Sequence, residues 1–233
     1  INVWDGWSAR TVAAVRGCQA LATASHSIAE SRGYPDGERM PVEEMLAAVR
    51  VITSATDLPV TADLESGYGD AGATVAAAIQ VGAVGANLED QAGPIDDHVA
   101  RVAAARAAGT AAGVGFVINA RTDEYLKGGK SRARAIDAGR AYIGAGADCI
   151  FVPGLTESAD IGALAEAFDG RLSVIGSPKT PTLGELARLG VSRVSVGPGS
   201  MGVAAAALAS AAGALLGRMS YPPTLAFRPP SPT

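Results

Sequence analysis

Short apolar runs alternate along this chain with longer stretches in which apolar positions return every three or four residues. The runs at 1–3, 20–24, 59–64, 86–89, 115–121, 149–152, 172–175 and 193–196 predict strands. The stretches at 8–15, 42–54, 71–81, 95–108, 132–145, 158–168, 182–189 and 200–216 predict helices. Gly17, Gly82, Gly109, Gly146 and Gly190 stand where these helices end, as left-handed caps. Eight strand–helix units with hydrophobic strands predict a parallel sheet closed into an α/β fold of the (β/α)8 TIM-barrel type. A doubly wound open sheet is the alternative, but no Gly-x-Gly-x-x-Gly follows the first strand. No linker divides the chain, so residues 1–218 read as one barrel domain. Five prolines between 219 and 233 make that tail an extended arm rather than a helix.

Composition narrows the partners. The 233 residues are 48% hydrophobic and 18% charged, enough apolar mass for a large core. A formal charge of −4 with scattered basic residues argues against nucleic acid. No stretch reads as a membrane span, because the Ala-rich run 201–216 is interrupted by Gly202, Ser210 and Gly213 and predicts a packed helix. No signal peptide is visible. Cys18 and Cys149 lie far apart in apolar settings, which suits a reducing, cytoplasmic location.

The predicted strand ends are unusually polar. Alternation along the third strand sends Asp63 and Glu65 to one side, about 6.6 Å apart. The same phase points Asn87 and Glu89 inward from the fourth strand, and Asn119, Arg121 and Asp123 inward from the fifth. Paired carboxylates aimed into an interior repel and lose hydration, so they need a cation, a hydrogen-bond network or a shared proton. A hard divalent cation with oxygen ligands meets that need. A purely structural ion network, with Arg121 neutralising Glu89, is the competing account. Arg121 also offers a planar fork for a carboxylate or phosphate. His26, in the predicted loop after the second strand, could serve as acid or base at the barrel mouth or be a satisfied loop residue. His98 reads as a surface or packing residue of a helix.

The segments Pro59-Val60-Thr61-Ala62-Asp63-Leu64-Glu65-Ser66-Gly67-Tyr68-Gly69, Gly85-Ala86-Asn87-Leu88-Glu89-Asp90 and Asn119-Ala120-Arg121-Thr122-Asp123 resemble the isocitrate lyase/phosphoenolpyruvate mutase superfamily. Asn2-Val3-Trp4-Asp5, Tyr34-Pro35-Asp36-Gly37 and Ala147-Asp148-Cys149-Ile150-Phe151-Val152-Pro153-Gly154 add to the resemblance in the same order. It implies a (β/α)8 barrel whose last helix is exchanged between subunits of a homodimer or homotetramer. It also implies Mg²⁺, with Mn²⁺ as the alternative ion, held by Asp63, Glu65 and Glu89, some through water. Arg121 and the Ser25–His26 loop would grip a small 2-oxo or 2-hydroxy acid, with Trp4 and Asp63 also at the substrate. Asp36, Arg121 and Ser25 would be the catalytic set, although Asp36 is also the ordinary turn residue of a Pro-Asp-Gly sequence.

Departures from the family pattern matter as much. The superfamily's lyases carry a Lys-Cys-Gly-His loop after the fourth strand, and its phosphonate-forming mutases a Lys- and Asn-bearing loop. Here Glu89-Asp90-Gln91 runs directly into Ala92-Gly93-Pro94-Ile95, and the loops after Gln91 and Leu126 are short. The expected activity is cleavage of a C–C bond beside a carbonyl, through an enolate. Three alternatives stand beside it: phosphonomutase or hydrolase chemistry at a P–C bond, a phosphate-binding barrel using Gly176–Lys179 and Gly197–Ser200, and a barrel that binds a 2-oxo acid without chemistry.

Overall fold

The computed structural model describes residues 1–126, 129–218 and 221–226. Eight parallel strands pair in chain order: β1 (Asn2–Val3), β2 (Leu21–Thr23), β3 (Val60–Asp63), β4 (Gly85–Glu89), β5 (Val117–Arg121), β6 (Cys149–Phe151), β7 (Leu172–Ile175) and β8 (Arg193–Ser195). Helices cover them: α1 (Gly6–Ala13), α2 (Ser25–Ser31), α3 (Val42–Thr53), α4 (Ala71–Gln80), α5 (Ile95–Ala111), α6 (Arg132–Gly144), α7 (Ser158–Ala167), α8 (Leu183–Arg188) and α9 (Gly199–Arg218). This is the (β/α)8 barrel expected from the alternation. Of the expected arm, residues 219–220 and 227–233 lie outside the described residues, and Pro223–Leu225 forms one 3₁₀ turn.

Strand alternation builds two environments. Ala62, Ala86, Leu88, Ile118, Ala120, Ile150 and Val174 are buried with helix residues Val75, Val102, Ala138 and Leu164 and with Phe168, just past the end of α7. The opposite faces carry polar groups into the barrel. Register sets Asp63 beside Asn87, Asn87 beside Asn119, and Glu89 beside Arg121. Asn119 Nδ2 donates to Asn87 Oδ1 at 2.8 Å. Arg193 reaches across the barrel to donate to Thr61 Oγ1 at 2.9 Å.

The seam between the first and last strands is closed by side chains. Asn2 is 3% exposed and its Oδ1 accepts from Val196 N at 3.0 Å and Ser195 Oγ at 3.1 Å. Its Nδ2 donates to the Thr23 carbonyl at 3.0 Å, and Ser200 Oγ donates to the Asn2 carbonyl at 2.5 Å. Each such bond, if broken inside the barrel, leaves a buried polar group unmet at a cost of about 1–3 kcal/mol.

Four of the five expected glycine caps have positive φ: Gly17, Gly82, Gly146 and Gly190. Gly109 does not cap; α5 runs on to Ala111 and the turn comes at Gly113, with φ +66°. A Cβ on Gly109 would lie 2.8 Å from Phe116 Cβ, so the glycine serves close helix–strand packing instead.

Helix α9 corrects one expectation. Its residues Gly199–Gly217 are long and apolar enough to cross a membrane, with a mean hydropathy of 1.6. The small interruptions do not lower that value enough to exclude a span. The helix is mostly uncovered, with Val203, Leu208 and Leu216 among the exposed large hydrophobic residues, while its start is bonded into the barrel through Ser200.

His98, in α5, is fully buried and packs edge-on against the Tyr142 ring at 4.5 Å between centroids. Neither ring nitrogen has a well-aligned hydrogen-bond partner among the described residues. Burial pushes its pKa down to about 4, opposed by Asp90 and reinforced by Arg101, while the Leu88 backbone weakly favours the charged form. The folded value lies below the ordinary 6.5, so the unfolded chain takes up a proton that the folded state refuses between those limits. Stability is therefore complete above about pH 6.5 and declines as pH falls toward 4, by on the order of 3 kcal/mol. Urea unfolding from pH 4 to 7 should show this slope in the wild type. The His98→Phe variant should show a slope reduced by that amount.

Candidate active site

The C-terminal ends of the strands form a cavity of about 210 Å³. Ser25, His26, Asp36, Asp63 and Arg121 line it together with Asn2, Asn87, Phe151, Ile175, Ser195, Gly197 and Pro198. Residues from five separate expected positions thus meet at one place. Such a volume suits a small acid.

Asp63 closes β3 and points into this cavity. Its Oδ2 accepts from Ser25 N at 3.0 Å and Ser25 Oγ at 2.8 Å, while its own N–H donates to Thr23 Oγ1 at 2.8 Å. Ser25 opens helix α2, a seven-residue element that the sequence reading treats as loop. Its hydroxyl and N–H are therefore committed to Asp63. Ser27, in the same turn, is 1% exposed and its hydroxyl has no partner among the described residues.

Arg121 closes β5 between two carboxylates. Nη1 lies 2.7 Å from Glu89 Oε2 and Nε lies 2.6 Å from Asp123 Oδ1, which leaves Nη2 for a ligand. The competing account of Arg121 as neutraliser of Glu89 is thus realised at Nη1, while the side chain still lines the cavity. Burial pushes the Glu89 carboxyl up to about 7; Arg121 opposes the rise, and Asp123, Asp63 and Glu65 add to it. Asp123 N–H is itself held by Asp90 Oδ1 at 3.0 Å, and Asp90 Oδ2 accepts from Tyr142 at 2.8 Å. Sequence reading missed Asp90 and Tyr142 as supports because they lie 52 positions apart.

Glu65 departs from its expected place. Strand β3 ends at Asp63, and Glu65 has φ +52°, so alternation no longer governs its direction. It does not line the cavity. Its carboxylate accepts from the Glu38 N–H and from Tyr68 Oη, the latter at 3.0 Å. Glu38 reciprocates: its Oε1 accepts from Ser66 N at 3.0 Å, Ser66 Oγ at 2.6 Å and Tyr68 N at 2.8 Å. Two carboxylates, each gripping the other's backbone neighbourhood, clasp the loop that carries Asp36 onto the turn after β3. Burial is the main force lifting the Glu65 carboxyl to about 7, with Asp63 and Asp36 adding to it against the two hydrogen bonds.

Trp4 also lies elsewhere. It is half-buried against the apolar cluster of Val3, Ile28, Met45 and Ile52, and is not among the cavity residues. An indole next to a strand end is drawn to that neighbouring core by its large apolar surface.

The oxygen-only donor set suits a hard cation. Among the described residues no three acidic, histidine or cysteine side chains converge into a ready cage. A Mg²⁺ site built from one or two carboxylates and several waters does not require such a cage. Asp63 uses Oδ2 for Ser25 and Glu89 uses Oε2 for Arg121, whereas both oxygens of Glu65 are held, by Glu38 N–H and Tyr68 Oη. The turn after β4 is tight, with Gly93 N–H donating to the Asp90 carbonyl at 2.9 Å and Ala92 N–H to Asp90 Oδ1 at 2.8 Å. The glycine turns considered for phosphate are bonded internally: Ser177 N–H donates to Thr180 Oγ1 at 2.8 Å, and Gly197 N–H to Ser195 Oγ at 3.2 Å.

Comparison with known proteins agrees with this architecture. The family described as phosphoenolpyruvate phosphomutase matches residues 1–216. A solved structure of a candidate phosphonomutase from Burkholderia cenocepacia J2315 is 46% identical, covers 90% of each chain and superposes with a TM-score of 0.84. An uncharacterized protein of Mycobacterium tuberculosis is 31% identical over 215 residues, 91% of this chain and 82% of its own. The 2-methylisocitrate lyase of Shewanella oneidensis is 35% identical over 162 residues, 60% of this chain but only 53% of that enzyme. With eight strands wound in order and acids and an arginine gathered at their ends, the chain belongs to the phosphoenolpyruvate phosphomutase family, within the isocitrate lyase/phosphoenolpyruvate mutase superfamily.

Proposed function

We propose that the barrel mouth binds a small 2-oxo or 2-hydroxy acid and cleaves a C–C bond beside its carbonyl, leaving an enolate. The observation that carries this reading is the convergence of Asp63, Arg121 and the start of α2 on one small cavity. Asp63 and Glu89 would hold Mg²⁺ or Mn²⁺, which when bound supplies a Lewis acid to the acid's oxygens. Arg121 binds the carboxylate through its remaining nitrogen, since Glu89 and Asp123 already fix the plane of its guanidinium. Ser25 orients Asp63. The short turn after β4 leaves no lyase-type cysteine at the mouth, and Cys149 is buried in β6.

Chemistry at a P–C bond is the second reading. It is favoured by the similarity to the candidate phosphonomutase over nine-tenths of both chains, and it would use the same enolate site. A panel of 2-oxo acids, 2-hydroxy acids and phosphonates, followed by NMR for bond cleavage, separates the two. Binding is tested independently of turnover. Calorimetry with oxalate, a mimic of pyruvate enolate, should show Mg²⁺-dependent association that disappears with chelator. No binding with Mg²⁺ present would end the proposal.

The uncovered apolar face of α9 supports assembly into a homodimer or homotetramer by exchange of this helix, because exposed patches of this kind mark interaction surfaces. Two free cysteines suit a reducing cytoplasm.

A further inference from the structure

His26 and Asp36 come to the mouth cavity from different elements, His26 from the first turn of α2 and Asp36 from the loop before α3. His26 Nδ1 lies 3.3 Å from Asp36 Oδ2. With Nδ1 facing the carboxylate, Nε2 is left for the cavity. The aspartate is not loosely placed, because the Glu38–Glu65 clasp anchors its loop two residues further on. Both side chains are about half exposed, at 48% and 51%, so solvent can exchange protons with the pair.

The other proton-bearing groups that line the cavity are committed. Ser25 donates its hydroxyl to Asp63, Ser195 donates its hydroxyl to Asn2, and Arg121 does not deprotonate. Imidazole is the side chain that gives up and regains a proton near neutrality. An enolate formed here needs a proton at carbon before the product is a stable keto acid.

We propose that His26, oriented by Asp36, delivers that proton. This rests on the reading of the mouth as an enolate-forming site. The imidazolium Nε2–H bond breaks, and the enolate's carbon–carbon π pair forms the new C–H bond. The enolate oxygen becomes the keto carbonyl, and the imidazole is left neutral until solvent reprotonates it. Asp36 remains a carboxylate throughout, accepting from Nδ1–H. No electron leaves or enters the pair of reactants. Asp36 is a positioning residue; His26 is the acid.

The test uses pyruvate in D₂O with Mg²⁺, following methyl deuteration by NMR, with oxalate affinity measured separately by calorimetry. Wild-type protein should deuterate pyruvate, because neutral His26 can remove the methyl proton in the reverse direction. His26→Ala should lose exchange by about 10²–10⁴-fold, a loss well beyond any weakening of oxalate binding. Added imidazole should restore part of the exchange in His26→Ala, an outcome that a merely structural role would not give. Asp36→Asn should lose exchange by a smaller factor and keep oxalate affinity. Exchange at the wild-type rate in His26→Ala would overturn the assignment, as would wild-type protein that binds oxalate yet leaves pyruvate undeuterated. Failure of the wild type to bind oxalate with Mg²⁺ would instead bring down the reading of the site itself, and the acid with it.

Discussion

Asp63→Ala should lose divalent-ion-dependent turnover by about 10³-fold or more while the barrel stays folded. Asp63 offers the cavity a carboxylate whose Oδ2 already holds two bonds from Ser25, so its orientation is fixed before any ligand arrives. Removing it takes away both the negative charge that attracts a hard cation and the anchor for the first turn of α2. Its backbone contribution survives, because the N–H to Thr23 Oγ1 bond does not depend on the side chain. Asp63→Asn should keep the shape and the contact with Ser25 but lose the charge, and it should fail nearly as badly. Steady-state rates on the acid panel, with and without chelator, check this beside a melting curve of each variant. Turnover unchanged in Asp63→Ala would remove the site from this end of the barrel.

Arg121→Ala carries the second large effect, this time on stability as well as binding. Asp123 is 1% exposed and Glu89 is largely buried, and among the described residues Arg121 is the cation within ion-pair distance of both. Without it two carboxylates face one another in a poorly solvated setting. Breaking a buried pair by removing one partner costs about 3–5 kcal/mol. For a chain of this size that is a fall in Tm of roughly 10 °C. Arg121→Lys keeps a positive charge but cannot reach both carboxylates and a ligand with one planar fork. It should recover most of the stability while oxalate binding stays weak. Differential scanning calorimetry and titration on the two variants separate the roles. An Arg121→Ala protein as stable as wild type would show that solvent, and not the arginine, meets those carboxylates.

The barrel was legible because each strand is an apolar run of β type bounded by turns, and each helix repeats at its own period. Six of the site residues named from sequence (Ser25, His26, Asp36, Asp63, Arg121 and, through its ion pair, Glu89) gather at or beside the mouth. Glu65 and Trp4 do not. The phase argument for Glu65 assumed that β3 continued past Asp63, and nothing in Leu64-Glu65-Ser66 signals a left-handed residue before Gly67. Helix α2 was hidden for a related reason: seven residues rich in serine carry too little periodicity to distinguish helix from loop. The Glu38–Glu65 clasp joins residues 27 positions apart and leaves no local pattern at all. What the chain writes locally could be read. What depends on two distant segments meeting could not.

That dependence reaches its extreme at Asn2. Its partners Ser195, Val196 and Ser200 lie 193, 194 and 198 positions downstream. During synthesis, at about 5–20 residues per second, the first strand must wait on the order of ten seconds or more for the segment that completes its far side. Contacts of such long sequence separation slow folding. The seam at Asn2 therefore cannot form before nearly the whole barrel has been made.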